Sequence, residues 1–152
     1  KNPVLDRIFL TARTRFGNPF LVSRQDGLRA VIRVIRTGKP FYFLPDMDFG
    51  IRDAIFSPFF GVPTATITAL PRLVKLTGAR VVPVVTCQVG DGYVGRLYPA
   101  WENYPSGDLE ADVRYMNAFI EERVREMPEQ YFWAHKRFKT RPPGEPHPYR
   151  KK

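Results

Sequence analysis

Apolar positions recur along this chain with two periods, and the change from one to the other predicts its elements. Residues 3–16 read as a helix with Val4, Leu5, Ile8 and Phe9 on one side. Pro3 sits in its first turn, and Gly17, Asn18 and Pro19 stop it. A second helix is predicted after Ser23, read as its N-cap with Asp26 three residues on, and carries Leu28, Val31, Ile32 and Ile35 on one face. Thr37-Gly38 ends it and Pro40 prevents its return. Residues 41–44 form a short apolar aromatic run, read as a buried strand ending at Pro45-Asp46. Residues 47–63 read as a long loop rich in Phe, Gly and Pro, and 64–77 as a helix that Pro71 interrupts. Residues 80–86 are Val-rich and predict a second strand, covered on both faces. A turn at Gly90-Asp91-Gly92 leads to a paired strand over 93–98. Asp108 caps a helix running to about Arg125, with Val113, Met116, Ile120 and Val124 inward. A further helical stretch is expected from Pro128 through Phe138, and the proline-rich tail from Thr140 is expected to be irregular. The alternation predicts an α/β fold, a mixed sheet flanked by helices, with residues 41–44 and 81–85 as neighbouring buried strands.

Composition narrows the picture. A chain of 152 residues suits one domain, and its 43% apolar content is ordinary for a globular protein. No run of about 18 apolar residues occurs, so no segment is expected to span a bilayer, and no signal peptide is expected within these residues. The chain opens at Lys1 directly in an amphipathic pattern, which suggests a piece of something longer. Cys87 is the sole cysteine, so an intrachain disulfide is impossible, and a reducing compartment fits. The net charge of +9 is unevenly spread: residues 1–39 carry nine Lys/Arg against two acids, 40–132 eight against twelve, and 133–152 seven against one. A mildly acidic body thus lies between two basic ends, which favour anionic partners.

The segment Leu44-Pro45-Asp46-Met47-Asp48-Phe49-Gly50 holds the most informative candidates. Two carboxylates just past the end of a strand lie where α/β sheets bind ligands. By themselves they could hold a metal, orient a base, clamp an arginine, or merely cap a turn. A metal-dependent glycosyltransferase built on Asp46 and Asp48 is therefore one reading. The apolar residues that follow, from Phe49 to Val62, either complete the core or meet an acyl chain or bilayer. Arg13 and Arg15 do not share a helix face, so one could reach an anion while the other meets water. Lys136, Arg137, Lys139 and Arg141 form a basic run interleaved with Trp133 and Phe138, suited to a phosphorylated lipid surface or, alternatively, to single-stranded nucleic acid. His135, in the same run, is a minor catalytic candidate, and His147 lies in the tail. No P-loop, dinucleotide fingerprint or Gly-x-Ser-x-Gly is present.

Three stretches together resemble one family, the lauroyl/myristoyl late acyltransferases of lipid A biosynthesis. They are residues 44–50 with Phe56 and Phe60; Thr77-Gly78-Ala79-Arg80-Val81-Val82-Pro83-Val84; and, most specific, Pro128-Glu129-Gln130-Tyr131-Phe132-Trp133-Ala134-His135-Lys136-Arg137-Phe138-Lys139-Thr140-Arg141-Pro142. The resemblance implies a glycerol-phosphate-acyltransferase-like fold whose N-terminal part is missing, with residues 1–141 the C-terminal part of a single acyltransferase domain and 142–152 a basic tail. It implies acyl transfer from acyl carrier protein to a hydroxyl of a phosphorylated lipid A precursor at the cytoplasmic face of the inner membrane. No cofactor, metal or nucleic acid is implied. Arg13 and Asp46 map onto family catalytic positions, and Asp48, Gly50 and Arg52 match the pattern that shapes the site. Lys136, Arg137, Lys139 and Arg141 are the expected contacts to the anionic substrate. The family's general base, a His with an acid five positions on, has no counterpart here and is expected upstream of Lys1.

Overall fold

The computed structural model describes residues 2–17, 19–22 and 26–149. Asn2 opens the first helix, α1 (Pro3–Thr14), by accepting the amides of Val4 at 3.0 Å and Leu5 at 3.4 Å on its side-chain oxygen. The expected apolar face is there, but Val4, Leu5, Ile8 and Phe9 are exposed, and no α1 residue is buried. The second helix, α2 (Gly27–Arg36), begins after Asp26, and the predicted Ser23 cap lies outside the described residues. It lies against the third helix, where Arg36 Nη2 donates to Leu76 O at 2.9 Å.

The run 41–44 has no regular secondary structure, and Phe41, Tyr42 and Leu44 are exposed. The expected buried strand is thus absent among the described residues: each hairpin is a two-stranded sheet, and the run 41–44 joins the free edge of neither. The expected loop is instead a hairpin, β1 (Ala54–Phe59) with β2 (Val62–Ile67), in register from Ala54↔Ile67 to Phe59↔Val62. Its two-residue turn needs positive φ at both positions, and Phe60 (φ 50°) and Gly61 (φ 76°) supply it. Thr64, Thr66 and Ile67 therefore belong to a strand, as β-branching favours, and not to the predicted helix. That helix, α3 (Ala69–Thr77), starts late enough for Pro71 to fall in its first turn, where a missing N–H costs nothing, and Gly78 closes it at φ 69°.

The next hairpin, β3 (Val84–Val89) with β4 (Gly92–Leu97), confirms the predicted turn and pairing. Its burial differs from expectation: Cys87 is the one buried residue of β3, while Val82, Val84 and Val89 are exposed. The two hairpins form separate antiparallel sheets, so the expected single mixed sheet is corrected to two small ones. Asp108 caps α4 (Leu109–Glu126) as predicted, through the amides of Glu110 and Ala111.

The core lies between the β1–β2 hairpin, α3 and α4. Phe59, Ala65, Ile67, Leu73, Val74, Val113, Met116 and Val124 are buried there. A polar strut crosses it. Asn117 Nδ2 donates to Pro58 O at 3.0 Å and to Thr66 Oγ1 at 3.2 Å, and Thr66 Oγ1 donates to Thr64 O at 3.1 Å. After a short 3-10 turn (Pro128–Gln130) the chain runs through single turns, such as His135 N to Phe132 O, rather than the helix predicted through 138. This irregular path lets its side chains reach both hairpins. Gln130 pairs through its amide with the backbone of Gln88 at 2.7 and 3.2 Å, as a neighbouring strand would. No helix among the described residues is long and apolar enough to cross a membrane.

Candidate functional site

The first and third motifs, some ninety positions apart, meet at one carboxylate. Asp48 is 2% exposed, and its Oδ1 accepts from Gly50 N at 2.8 Å and Thr140 Oγ1 at 2.9 Å. Its Oδ2 accepts from Thr140 N, and its own backbone N–H donates to His135 Nε2, both at 2.9 Å. The bond from Gly50 closes a tight turn in which Gly50 takes φ 92°, a conformation that favours glycine. The loop 45–50 is thereby stapled to residues 135–140.

Beside the staple lies a wall of aromatic and cationic groups. The Phe59 ring packs against Tyr131 and Phe138 at 6.3 and 6.0 Å. The Arg137 guanidinium lies 5.2 Å over the same ring and is 1% exposed. It donates to Ala65 O at 2.8 Å and to Thr66 Oγ1 at 2.9 Å. Burial lowers its pKa, while Tyr131, Asp46 and Asp48 act in the opposite direction. Asp46, half-buried, adjoins Tyr131: burial first, then the Asp46 charge and a hydrogen bond with it, push the phenol pKa up. Asp46 thus sits at the edge of the staple with a phenol and a buried guanidinium for neighbours.

The other candidates divide. Arg141 also turns inward, donating to Pro63 O at 2.6 Å and pairing with Glu145. Lys136 and Lys139 remain exposed, with Lys136 Nζ 5.8 Å over the Tyr149 ring. Arg52 is exposed and 3.8 Å from Asp53. Arg13, in the last turn of α1, is exposed, and no hydrogen bond or ion pair joins it to Asp46 among the described residues. The apolar side of α1, with Val4, Leu5, Ile8 and Phe9, is exposed and is not covered by either hairpin among the described residues. Of the apolar loop, Phe59 is buried in the core, whereas Phe49 and Ile51 are exposed. Sequence reasoning missed Thr140 and the structural use of His135; both lie in the third motif, but nothing in a single sequence tells that they meet Asp48.

Asp48 spends both oxygens on N–H and O–H donors, an arrangement that holds backbone rather than a cation. No cluster of three or more His, Cys, Asp or Glu suited to a metal occurs among the described residues. An α/β unit that fastens a Pro-Asp-x-Asp loop to a basic aromatic segment is the arrangement on which the chain's relatives can be judged.

Residues 1–140 match the family described as bacterial lipid A biosynthesis acyltransferase. The chain belongs to that family. It is 40% identical to the lipid A biosynthesis myristoyltransferase of Escherichia coli (strain K12) over 99% of this chain and 47% of that protein. It is 36% identical to the lipid A biosynthesis lauroyltransferase of the same organism over 97% of this chain and 49% of that protein. A lipid A biosynthesis acyltransferase of Haemophilus influenzae is 36% identical over 95% of this chain and 45% of its own length. The chain thus spans about half the length of the curated relatives it matches.

Proposed function

We propose that this chain is the C-terminal part, over residues 1–141, of an enzyme that moves a fatty acyl group from acyl carrier protein to a hydroxyl of a lipid A precursor. Residues 142–152 are then a basic tail. The observation that carries the reading is the family match over residues 1–140, which includes both segments joined at Asp48. Asp46 and Arg13 serve the reaction: the Arg13 guanidinium, a planar fork of donors, meets the charge that develops on the thioester carbonyl oxygen, and Asp46 positions the site. The family base, a His with an acid five positions on, deprotonates the acceptor hydroxyl and lies outside these residues.

Of the basic run, Lys136 and Lys139 are the side chains free to meet phosphate, while Arg137 and Arg141 hold the wall behind them. The net charge of +9 suits an acidic carrier protein and an anionic membrane surface, in keeping with a reaction at the cytoplasmic face of the inner membrane. A thioester donor requires no metal or redox cofactor. The test is to express the complete coding sequence that contains these residues, purify the enzyme in detergent, and supply acyl carrier protein thioester with a lipid A precursor. The expected product is heavier by one acyl group. Thioester consumed with no acylated lipid, or no consumption at all, would overturn the reading.

A further inference from the structure

We propose that His135 is a positioning residue for the acyl-transfer site, acting as the hydrogen-bond acceptor that fixes the Asp48 backbone and, through it, the orientation of Asp46. The proposal rests on the reading of Asp46 as a catalytic group. In this role the imidazole is neither a base nor a substrate contact.

The geometry gives the histidine this work. Its Nε2 accepts the Asp48 amide at 2.9 Å, so that nitrogen carries no proton and its lone pair is engaged. The Asp48 carboxylate cannot perform the same service, because it is taken by Gly50 and Thr140. Asp48 is thus held on its backbone side by His135 and on its side-chain side by Thr140, two residues from one segment, five positions apart. The peptide between Met47 and Asp48 has its plane set by that bond, and Asp46 lies one residue further back. Tyr131, four residues before His135, adjoins the Asp46 carboxylate. One stretch, residues 131–140, therefore grips the Asp46–Gly50 loop at the Asp48 amide and at the Asp48 carboxylate. Buried donors are nearly always paired, so losing the acceptor forces the loop to turn its N–H elsewhere. A displacement of about 1 Å at a catalytic group can cost on the order of a hundredfold in rate.

The experiment compares His135→Gln with His135→Leu in the enzyme made from its complete coding sequence, beside Thr140→Ser, Thr140→Val and Asp46→Asn. A glutamine amide places its oxygen close to the position of Nε2 and can accept the Asp48 N–H; leucine cannot. The readouts are kcat, KM for the acyl donor, and hydrogen exchange at the Asp48 amide. The expected result for His135→Leu is a kcat lower by roughly a hundredfold with KM little changed, and a fast-exchanging Asp48 amide. His135→Gln keeps kcat within about threefold of the wild type and keeps the amide slow. Thr140→Ser retains activity and Thr140→Val loses it, which preserves the comparison should His135→Leu fail to fold. If His135→Gln is as inactive as His135→Leu while its Asp48 amide stays slow, the imidazole acts chemically and the proposal is overturned. It is equally overturned if His135→Leu exchanges fast but turns over normally. If Asp46→Asn itself leaves turnover unchanged, it is the reading of Asp46 that fails, whereas the exchange data still report on the bond.

Discussion

Arg137 and Thr66 meet at a single hydroxyl inside the domain: Nη2 donates to Thr66 Oγ1 at 2.9 Å, while Nη1 reaches the neighbouring Ala65 O at 2.8 Å. That fork spans two adjacent residues of β2, and Asn117 of α4 reaches the same hydroxyl from the other side. The hydroxyl, with one proton and two lone pairs, is then fully used, since it also donates to Thr64 O. Lysine cannot span both acceptors. Arg137→Lys is expected to lower the unfolding free energy by about 1–3 kcal/mol, the cost of a buried acceptor left unpaired. Urea titration checks this, and a change within about 0.5 kcal/mol would show that the two acceptors do not depend on the guanidinium fork.

The α4 cap offers a test confined to local structure. Asp108 Oδ1 accepts the amides of Glu110 at 2.9 Å and Ala111 at 3.1 Å. Asp108→Ala should cost about 0.5–2 kcal/mol, and Asp108→Ser only part of that. Asp108 makes no contact with the Asp48 staple, so catalysis at saturating substrate should be unaffected. Denaturant curves with kcat measured on the same samples decide this.

Stability should fall at alkaline pH for a stated reason. Burial, followed by the Asp46 charge, holds the Tyr131 phenol pKa above its ordinary 10.0, and burial with Asp112 does the same for Tyr104. A group whose folded pKa is raised binds its proton more tightly when folded. Its contribution is complete below pH 10.0 and is lost as pH rises toward the folded pKa. Each phenol can contribute a slope of at most about 1.4 kcal/mol per pH unit. Unfolding free energies measured from about pH 8 to 11 should decline above pH 10, and Tyr131→Phe should flatten that decline. An unchanged slope in the variant would show that Tyr131 is not the group responsible.

Residues 1–152 expressed alone should transfer no measurable acyl group. His135 Nε2 is occupied by the Asp48 amide, and His147 Nδ1 accepts the Tyr149 amide at 3.3 Å, so neither stands ready as a base. Absence of a general base alone typically costs about 10²–10⁴-fold. Mass spectrometry of the lipid after incubation with acyl carrier protein thioester measures it, and turnover near that of the complete enzyme would show that the base lies within these residues.

What could be read from the sequence was local. α4 was legible because its apolar stripe, its acid-rich first turn and the Asp108 cap all agree. The turn at Gly90 announced the β3–β4 hairpin. The β1–β2 hairpin was hidden because its turn is Phe60-Gly61 and not Asn-Gly, and because Pro58 and Pro63, which face each other across it, read as loop. The runs 41–44 and 81–85 have the composition of buried strands, yet composition does not supply a neighbour to pair with or a layer to cover them. Within the site, Asp46 and Asp48 were found from their position after an apolar run. Their difference in role was not legible, because the groups that fix it, Thr140, His135 and Tyr131, come from a segment more than eighty residues away.

Whether Asp46 serves acyl transfer to lipid A can be read in living cells. The complete coding sequence, as wild type, Asp46→Asn and Arg13→Lys, is expressed in cells whose lipid A lacks one secondary acyl chain, and the extracted lipid A is weighed by mass spectrometry, with a melting curve for each purified protein. The wild type is expected to add one acyl chain. Both variants should lose most of that addition with melting curves unchanged, since asparagine removes the charge and lysine keeps the charge but not the fork. Acylation by both variants within about two-fold of the wild type, as surface substitutions usually allow, would contradict it.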